Sequence, residues 1–408
     1  MADDFSSEFL TTISMVNSSI RLYLVLGAML KFFHYGLIAS IYSVYLRQAG
    51  LDLFEMNLVN VAFYVTMFIF EIPTGAFADV FGRKLSFVTS CFIWSASNII
   101  YGLGSSFESF VVAEVTGAIG ATFATGAFEA WLVDNLKHEK NTTPLQHVFA
   151  RAEYWTQGAV VTGSILGAYI ATHNMRIPWI IGGIGSSIVG VLALRYMKEP
   201  SFTPKSLGWQ SGWQEMKTTV TTSIDYGLKN SVIRYILLVL ALQTFVLMTP
   251  NMQWSLWFGE HVKSEVGLGY IMALNIVFMM VGSRLVNSVL DGKYAEEKII
   301  VVIQIMMGLA FVATVLCTQL WGLVPFLAHQ VFRGFWKPVK QAYLHDQINS
   351  KDRATIVSFE SIAHHFAGAF GLLLSGLIAK YLGMQITWIL MGLVLVLGTS
   401  LIYWKRKL

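Results

Sequence analysis

Runs of about 20 apolar residues recur through this 408-residue chain, and each is long enough to cross a bilayer as a helix. Their spacing predicts helix 1 over 20–47, helix 2 over 53–78, helix 3 over 84–103, helix 4 over 108–136, helix 5 over 147–172 and helix 6 over 177–197. After a longer polar stretch, helices 7 to 12 follow at 231–258, 265–290, 297–318, 321–346, 354–381 and 384–404. The expected fold is an all-α membrane protein with twelve transmembrane helices. They form two pseudo-symmetric six-helix bundles, 1–197 and 231–408, joined by a linker over 198–230. Composition agrees: 55% of residues are hydrophobic and 13% charged, against about 25% charged in an ordinary soluble domain.

Basic residues set the orientation. With both termini in the cytoplasm, most lysines and arginines fall in inner loops and helix ends, among them Arg83, Lys84, Lys137, Lys140, Lys351 and Arg353. The outer loops then hold only Arg47, Arg176, Lys263 and Lys380, the imbalance that the positive-inside rule describes. The N-terminus, MADDFSSEF, is acidic and shows no cleavable signal, so helix 1 is expected to act as an uncleaved one. Cys91 and Cys317 stand in separate apolar runs and give neither a disulfide framework nor a metal spacing. The scattered net charge of +4 gives no nucleic-acid footprint. The expected location is a bacterial inner membrane, with the protein embedded in lipid and acting as a monomer.

Between helices 2 and 3 lies EIPTGAFADVFGRK, residues 71–84, where an apolar run ends in a compact charged turn. Gly75 permits close packing, and Gly82 permits a tight reversal. Asp79 is placed to cap or neutralise a helix N-terminus. This stretch resembles the signature loop of the major facilitator superfamily, G-x-L-A-D-R/K-x-G-R/K-R/K. Gly75, Ala78, Asp79, Gly82, Arg83 and Lys84 match, while Phe77 replaces the leucine and Val80 a basic residue. The resemblance extends over nearly the whole chain. It implies a secondary transporter working by alternating access, with helices 1, 4, 7 and 10 lining a central cavity. It also implies that Asp134 and Arg83 latch a cytoplasmic gate, with Asp79 meeting the start of helix 11 near Arg353. An ordinary interfacial charge cluster is the alternative for these gate residues.

The two halves look alike in character. EAWLVDNL at 129–136 parallels QAYLHDQI at 341–348, and GSILGAYIA at 163–171 parallels GLLLSGLIA at 371–379. Parallel repeats of this kind place a substrate pathway at their interface. The linker opens with Pro200 and Pro204, and Trp209, Trp213, Met216 and Val220 then recur at helical spacing, as in an amphipathic surface helix.

Charged groups inside the apolar runs carry the functional reading. Lys, Arg or Asp at mid-membrane costs about 2.5–3.5 kcal/mol on insertion scales, so such residues face a partner or a watery cavity. Helix 1 carries Lys31 and His34, three residues apart and so on one face. Helix 4 carries Glu114 and Glu129, helix 10 the stripe His329, Arg333 and Lys337, and helix 11 Glu360, His364 and His365. All are candidates for substrate and proton handling. Pairing of Lys31, Arg333 or Lys337 with a glutamate across the bundle, packing of the histidines, and a gating ion pair for Glu129 remain open as structural alternatives. Glu114 departs from the resembled family, whose helix 4 often has an arginine around this position. The exporters' helix 5 pattern is kept only as Gly163 and Gly167, which still allow close packing.

The expected function is proton-coupled export of a small charged or amphiphilic molecule, with no cofactor. Proton-coupled import of an anionic metabolite, favoured by the stripe His329, Arg333 and Lys337, is the alternative, and a transporter-shaped sensor or lipid-processing protein is the third reading. No G-x-S-x-G, H-E-x-x-H, P-loop or cysteine-rich metal pattern points to an enzyme.

Overall fold

The computed structural model describes residues 18–200, 202, 230–289, 296–347 and 353–407. Every regular element among them is helical. The first part of the chain forms α1 (Ser18–Leu30), a π-helical turn (Lys31–Gly36), α2 (Tyr42–Gln48), α3 (Leu53–Phe81) and α4 (Arg83–Leu103). It continues as α5 (Phe107–Ala124), α6 (Ala127–His138), α7 (Leu145–Ala171) and α8 (Ile177–Tyr196). The second part forms α9 (Ser231–Val262), α10 (Glu265–Val289), α11 (Glu296–Leu316), a short 3-10 turn (Gln319–Gly322), α12 (Leu323–Gln347) and α13 (Arg353–Lys407). α13 reverses at Gly383, where φ is 83°.

Helix covers each of the twelve expected segments, but seven helices among the described residues are both long and apolar enough to cross a membrane. Two expected single helices are broken. Helix 1 passes through the π turn and a non-helical 37–41 before α2 resumes. Helix 4 ends at Ala124 and restarts at Ala127, because Gly126 takes φ 74°, a conformation open to glycine and costly for other residues. The expected amphipathic linker helix lies outside the described residues, as do the side chains of 345–358.

Local chemistry fixes the helix ends. The Asp52 carboxylate accepts from the amides of Phe54 and Glu55, and the Glu55 side chain accepts from the Asp52 amide, a complete capping box at the start of α3. Asn230 caps α9 by accepting from Val232 and Ile233. Gly82, at φ 99°, makes the reversal between α3 and α4.

Small residues then let helices meet backbone to backbone. A Cβ at Gly163 would lie 2.9 Å from Gly36 Cα, and one at Gly167 would run into the Leu37 carbonyl. Those two glycines of α7 therefore clasp the broken part of helix 1 from one side. Gly182 and Gly185 of α8 press on Phe33 from the other. The second part of the chain repeats the device: Gly371 of α13 lies against the Phe245 carbonyl of α9. Gly282 and Gly334 notch α10 and α12 together, and Gly308 and Gly392 do so for α11 and α13. Lipid supplies little hydrophobic drive between helices, so close packing of this kind supplies the cohesion.

The two parts of the chain touch along α3 with α13 and α7 with α10. Near Gly50, Lys380 pairs with Asp52 at 2.8 Å. One turn deeper, Asn57 Nδ2 donates to the Leu372 carbonyl at 2.7 Å and to Ser375 Oγ at 3.1 Å. Gly269 sits on Ser164 and Ala168. One apolar cluster spans both parts here, from Leu37, Ile38 and Ile41 to Met248, Met252 and Leu372. The exposed Asp52–Lys380 pair is worth about 0–1 kcal/mol, so the buried amide bonds and this cluster hold the seam. A Cβ at Gly75, Gly126 or Gly158 would meet nothing within 4 Å.

Candidate functional site

Between the two parts lies a cavity of about 510 Å³, walled by helix 1, α3, α4, α5 and α7 on one side and α9, α10 and α12 on the other. Aromatic rings contribute to its surface, among them Tyr35, Tyr42, Tyr64, Trp254, Phe326 and, from α8, Trp179. Two charged side chains line it, Glu114 from α5 and Arg333 from α12.

A line of hydrogen bonds ends on the acid. Asn60 Nδ2 donates to the Tyr42 hydroxyl at 2.7 Å, the Tyr42 and Tyr101 hydroxyls are 3.2 Å apart, and Tyr101 donates to the Glu114 carboxylate. Stacking of Tyr101 on Trp179, with centroids 4.2 Å apart, holds the phenol in place. Across the cavity, Arg333 Nη1 donates to Asn251 Oδ1 at 3.0 Å, one residue past Pro250 in α9. Neither Glu114 nor Arg333 has an ion-pair partner among the described residues.

The other predicted residues are spread around this centre. His34 lines the cavity and stacks on Trp94 with centroids 4.3 Å apart. Lys31 is exposed, 5.8 Å from the centroid of the Tyr35 ring and within electrostatic reach of Glu153. The π turn, wider than an α-turn, sends the two side chains of helix 1 to different neighbours. Four-residue steps rotate 40° each, and the basic stripe of α12 fans out accordingly. His329 is fully buried beside Phe311, both ring nitrogens unpartnered, while Arg333 faces the cavity and Lys337 is exposed. Glu129 is exposed at the start of α6. Glu360 pairs with Lys340 at 2.8 Å. His364 lies 3.2 Å from the Thr244 hydroxyl, and His365 is buried 3.9 Å from Glu71.

At the signature turn, Arg83 pairs with Asp134 and donates to the Ala130 carbonyl at 3.0 Å. The N-terminus of α4 is capped from an unexpected quarter. Glu199 accepts from the Arg83 amide at 2.7 Å and the Lys84 amide at 3.3 Å, an anion at the positive end of the helix. Gly75 lies in open space, and the Arg353 side chain and any contact Asp79 makes with it lie outside the described residues.

Several members of these networks carried no sequence signal of their own. Tyr42, Asn60, Tyr101 and Asn251 are ordinary polar residues in apolar runs until the helices bring them together. Glu71 accepts from Ser361 Oγ at 2.8 Å and so ties α3 to α13 near the Gly82 end. Lys340 stood three residues from Lys337 and could have been found by asking which basic residue of helix 10 faces Glu360. Both members of that pair are more than four-fifths buried. Glu360→Gln alone is expected to lose about 3–5 kcal/mol, since it strands a buried ammonium. The double replacement with Lys340→Met is expected to recover most of that loss, and thermal unfolding of the three variants reads it.

The fold and cavity define a polytopic membrane protein of the transporter class, with a polar chamber enclosed between two groups of helices. The chain belongs to the Major Facilitator Superfamily, whose family profile matches residues 24–328 and 235–407. It is 24% identical over 415 residues to Multidrug resistance protein 2 of Bacillus subtilis (strain 168), across 96% of this chain and 97% of that protein. To Quinolone resistance protein NorA of Staphylococcus aureus it is 22% identical over 198 residues, 48% of each chain. Among solved structures, the nucleoside transporter NupG superposes with a TM-score of 0.78 at 12% identity, over 96% of this chain and all of that one. A POT family transporter bound to 5-aminolevulinic acid gives 0.75, also at 12% identity, over 94% and 95%. These structures share the fold, and the family makes the chain an integral membrane transporter rather than an enzyme.

Proposed function

We propose that the protein exports a small amphiphilic molecule in exchange for protons, by rocking of two six-helix bundles, 1–197 and 231–408, about the central cavity. The observation that carries this reading is the cavity itself: aromatic walls suited to an amphiphile, with a carboxylate that can take up or release a proton and an arginine opposite. Repeated helix contacts favour paired bundles of twelve spanning helices. Gly163 and Gly167 lie on helix 1 as Gly371 lies on α9, and Ser164 meets Gly269 as Asn57 meets Ser375. The relatives named for multidrug and quinolone resistance favour export. The excess of basic residues in alternate loops favours cytoplasmic termini. That would put the Arg83–Asp134 latch on the inner face, with the Asp52–Lys380 seam outside. A single chain would be the working unit.

Proton-coupled import of an anionic metabolite is the second reading, favoured by the uncommitted donors of Arg333. Purified protein in oriented proteoliposomes, given an imposed pH gradient and a panel of labelled amphiphiles, separates the two. Flux that runs against the proton flow supports export by exchange, and flux with it supports import. Binding without gradient-responsive flux would sink both.

A further inference from the structure

The cavity is lined by one carboxyl group, Glu114, and one guanidinium, Arg333, and neither has an ion-pair partner among the described residues. Glu114 accepts from Tyr101, and Arg333 donates to Asn251 with one of its five N–H groups, but no described carboxylate or cation lies within ion-pair distance of either. They do not pair with one another. Tyr64 lines the same cavity as both. The two charges come from opposite sides of the linker, Glu114 on α5 and Arg333 on α12. An unpaired charge of this kind is costly in the membrane interior and is retained where something else completes it.

We propose that what completes both is one molecule: the ligand of this cavity is an aromatic zwitterion. Its cationic end sits at Glu114, its anionic end at Arg333, and its ring lies among Tyr35, Tyr64, Trp254 and Phe326. This deepens the transport reading and rests on it only in taking the cavity as the substrate site. The arginine can grip a carboxylate or phosphate-like end with two parallel hydrogen bonds. The glutamate offers a carboxylate already oriented by Tyr101, and the surrounding phenol and indole faces attract an alkylated ammonium. A molecule with one pole would satisfy one wall and leave the other charge unpaired, so the site discriminates by count of poles as well as by sign. Because the poles belong to different parts of the chain, the zwitterion also bridges them. A ligand with one pole would not.

The test is equilibrium binding to the full-length protein in nanodiscs, which requires no transport. Three fluorescent probes share one aromatic core and carry a protonated tertiary ammonium at one end, a carboxylate at the other, or both. A charge-assisted hydrogen bond is worth about 1.5–3 kcal/mol, so the two-pole probe is expected to bind roughly tenfold to a hundredfold more tightly than either one-pole probe. Glu114→Gln is expected to erase its advantage over the carboxylate probe, and Arg333→Gln its advantage over the ammonium probe. Glu114→Asp and Arg333→Lys, which keep the charges, are expected to retain part of each preference and show that the sites still fold. Equal affinity for all three probes would overturn the proposal. So would loss of preference in the Arg333 variant alone, which would leave Glu114 as a proton site without a substrate role. Tight two-pole binding without gradient-driven flux would support this inference while sinking the transport reading, so the two fail separately.

Discussion

Gly167→Val is expected to leave almost no folded protein in the membrane, whereas Gly158→Ala, nine residues earlier on α7, is expected to be silent for stability. The two sites differ only in what stands opposite. A side chain at 167 collides with the Leu37 carbonyl, and a backbone wedged by glycines from both α7 and α8 has nowhere to move. A side chain at 158 meets open space. Overpacking a well-filled core costs about 1–3 kcal/mol when side chains can shift. Here the obstacle is main chain, so the cost lies at or above that range, a large share of a typical stability of about 5–15 kcal/mol. Folded yield and thermal midpoint by fluorescence-detected gel filtration read the difference. A Gly167→Val protein of normal yield and midpoint would show that α7 and helix 1 do not meet as described.

Glu114→Gln is the second large effect, and it falls on coupling rather than folding. The amide keeps the shape of the carboxyl and can still accept from Tyr101, but it cannot exchange a proton. Flux driven by an imposed pH gradient is expected to fall by about tenfold or more, since even a 1.4 kcal/mol change at the coupling step is tenfold. Downhill exchange of substrate without a gradient is expected to survive in part. The measurement is initial rate in proteoliposomes with and without the gradient, alongside insertion and folding controls. Gradient-driven flux at the wild-type rate in a folded Glu114→Gln protein would remove this residue from coupling.

Much of the helix map was legible because the bilayer fixes length and polarity at once, so a plain count of apolar residues locates most segments. The signature turn was legible for a related reason: Gly82 and Arg83 must be adjacent in sequence to reverse the chain and carry the charge. What could not be read was where a helix breaks without leaving the apolar pattern. The π turn at Lys31–Gly36 packs against glycines of α7 and α8, more than a hundred residues away. The stripe on helix 10 illustrates the same limit. Four-residue spacing marked His329, Arg333 and Lys337 as neighbours, but a helix turning 40° per step hands one to the core, one to the cavity and one to the exterior. Glu114 was visible as a misplaced charge, but its partner Tyr101 belongs to another helix and had no reason to stand out. The capping of α4 by Glu199 could not be read either, because the chain returns to α4 only after α8.

The line of donors running from Asn60 through Tyr42 and Tyr101 to Glu114 has a terminus that matters. Hydroxyls can relay protons by passing one on as they receive another, but the Asn60 amide holds its hydrogens covalently and does not hand them on. The line is therefore a cul-de-sac. It steadies the carboxylate and, among the described residues, relays nothing onward from Asn60, so under the proposed exchange a proton would reach Glu114 through the cavity that the cargo enters. On that reading the proton and the cargo would take turns at one site, and a pH-sensitive dye inside cargo-free vesicles is expected to report no leak above that of empty liposomes.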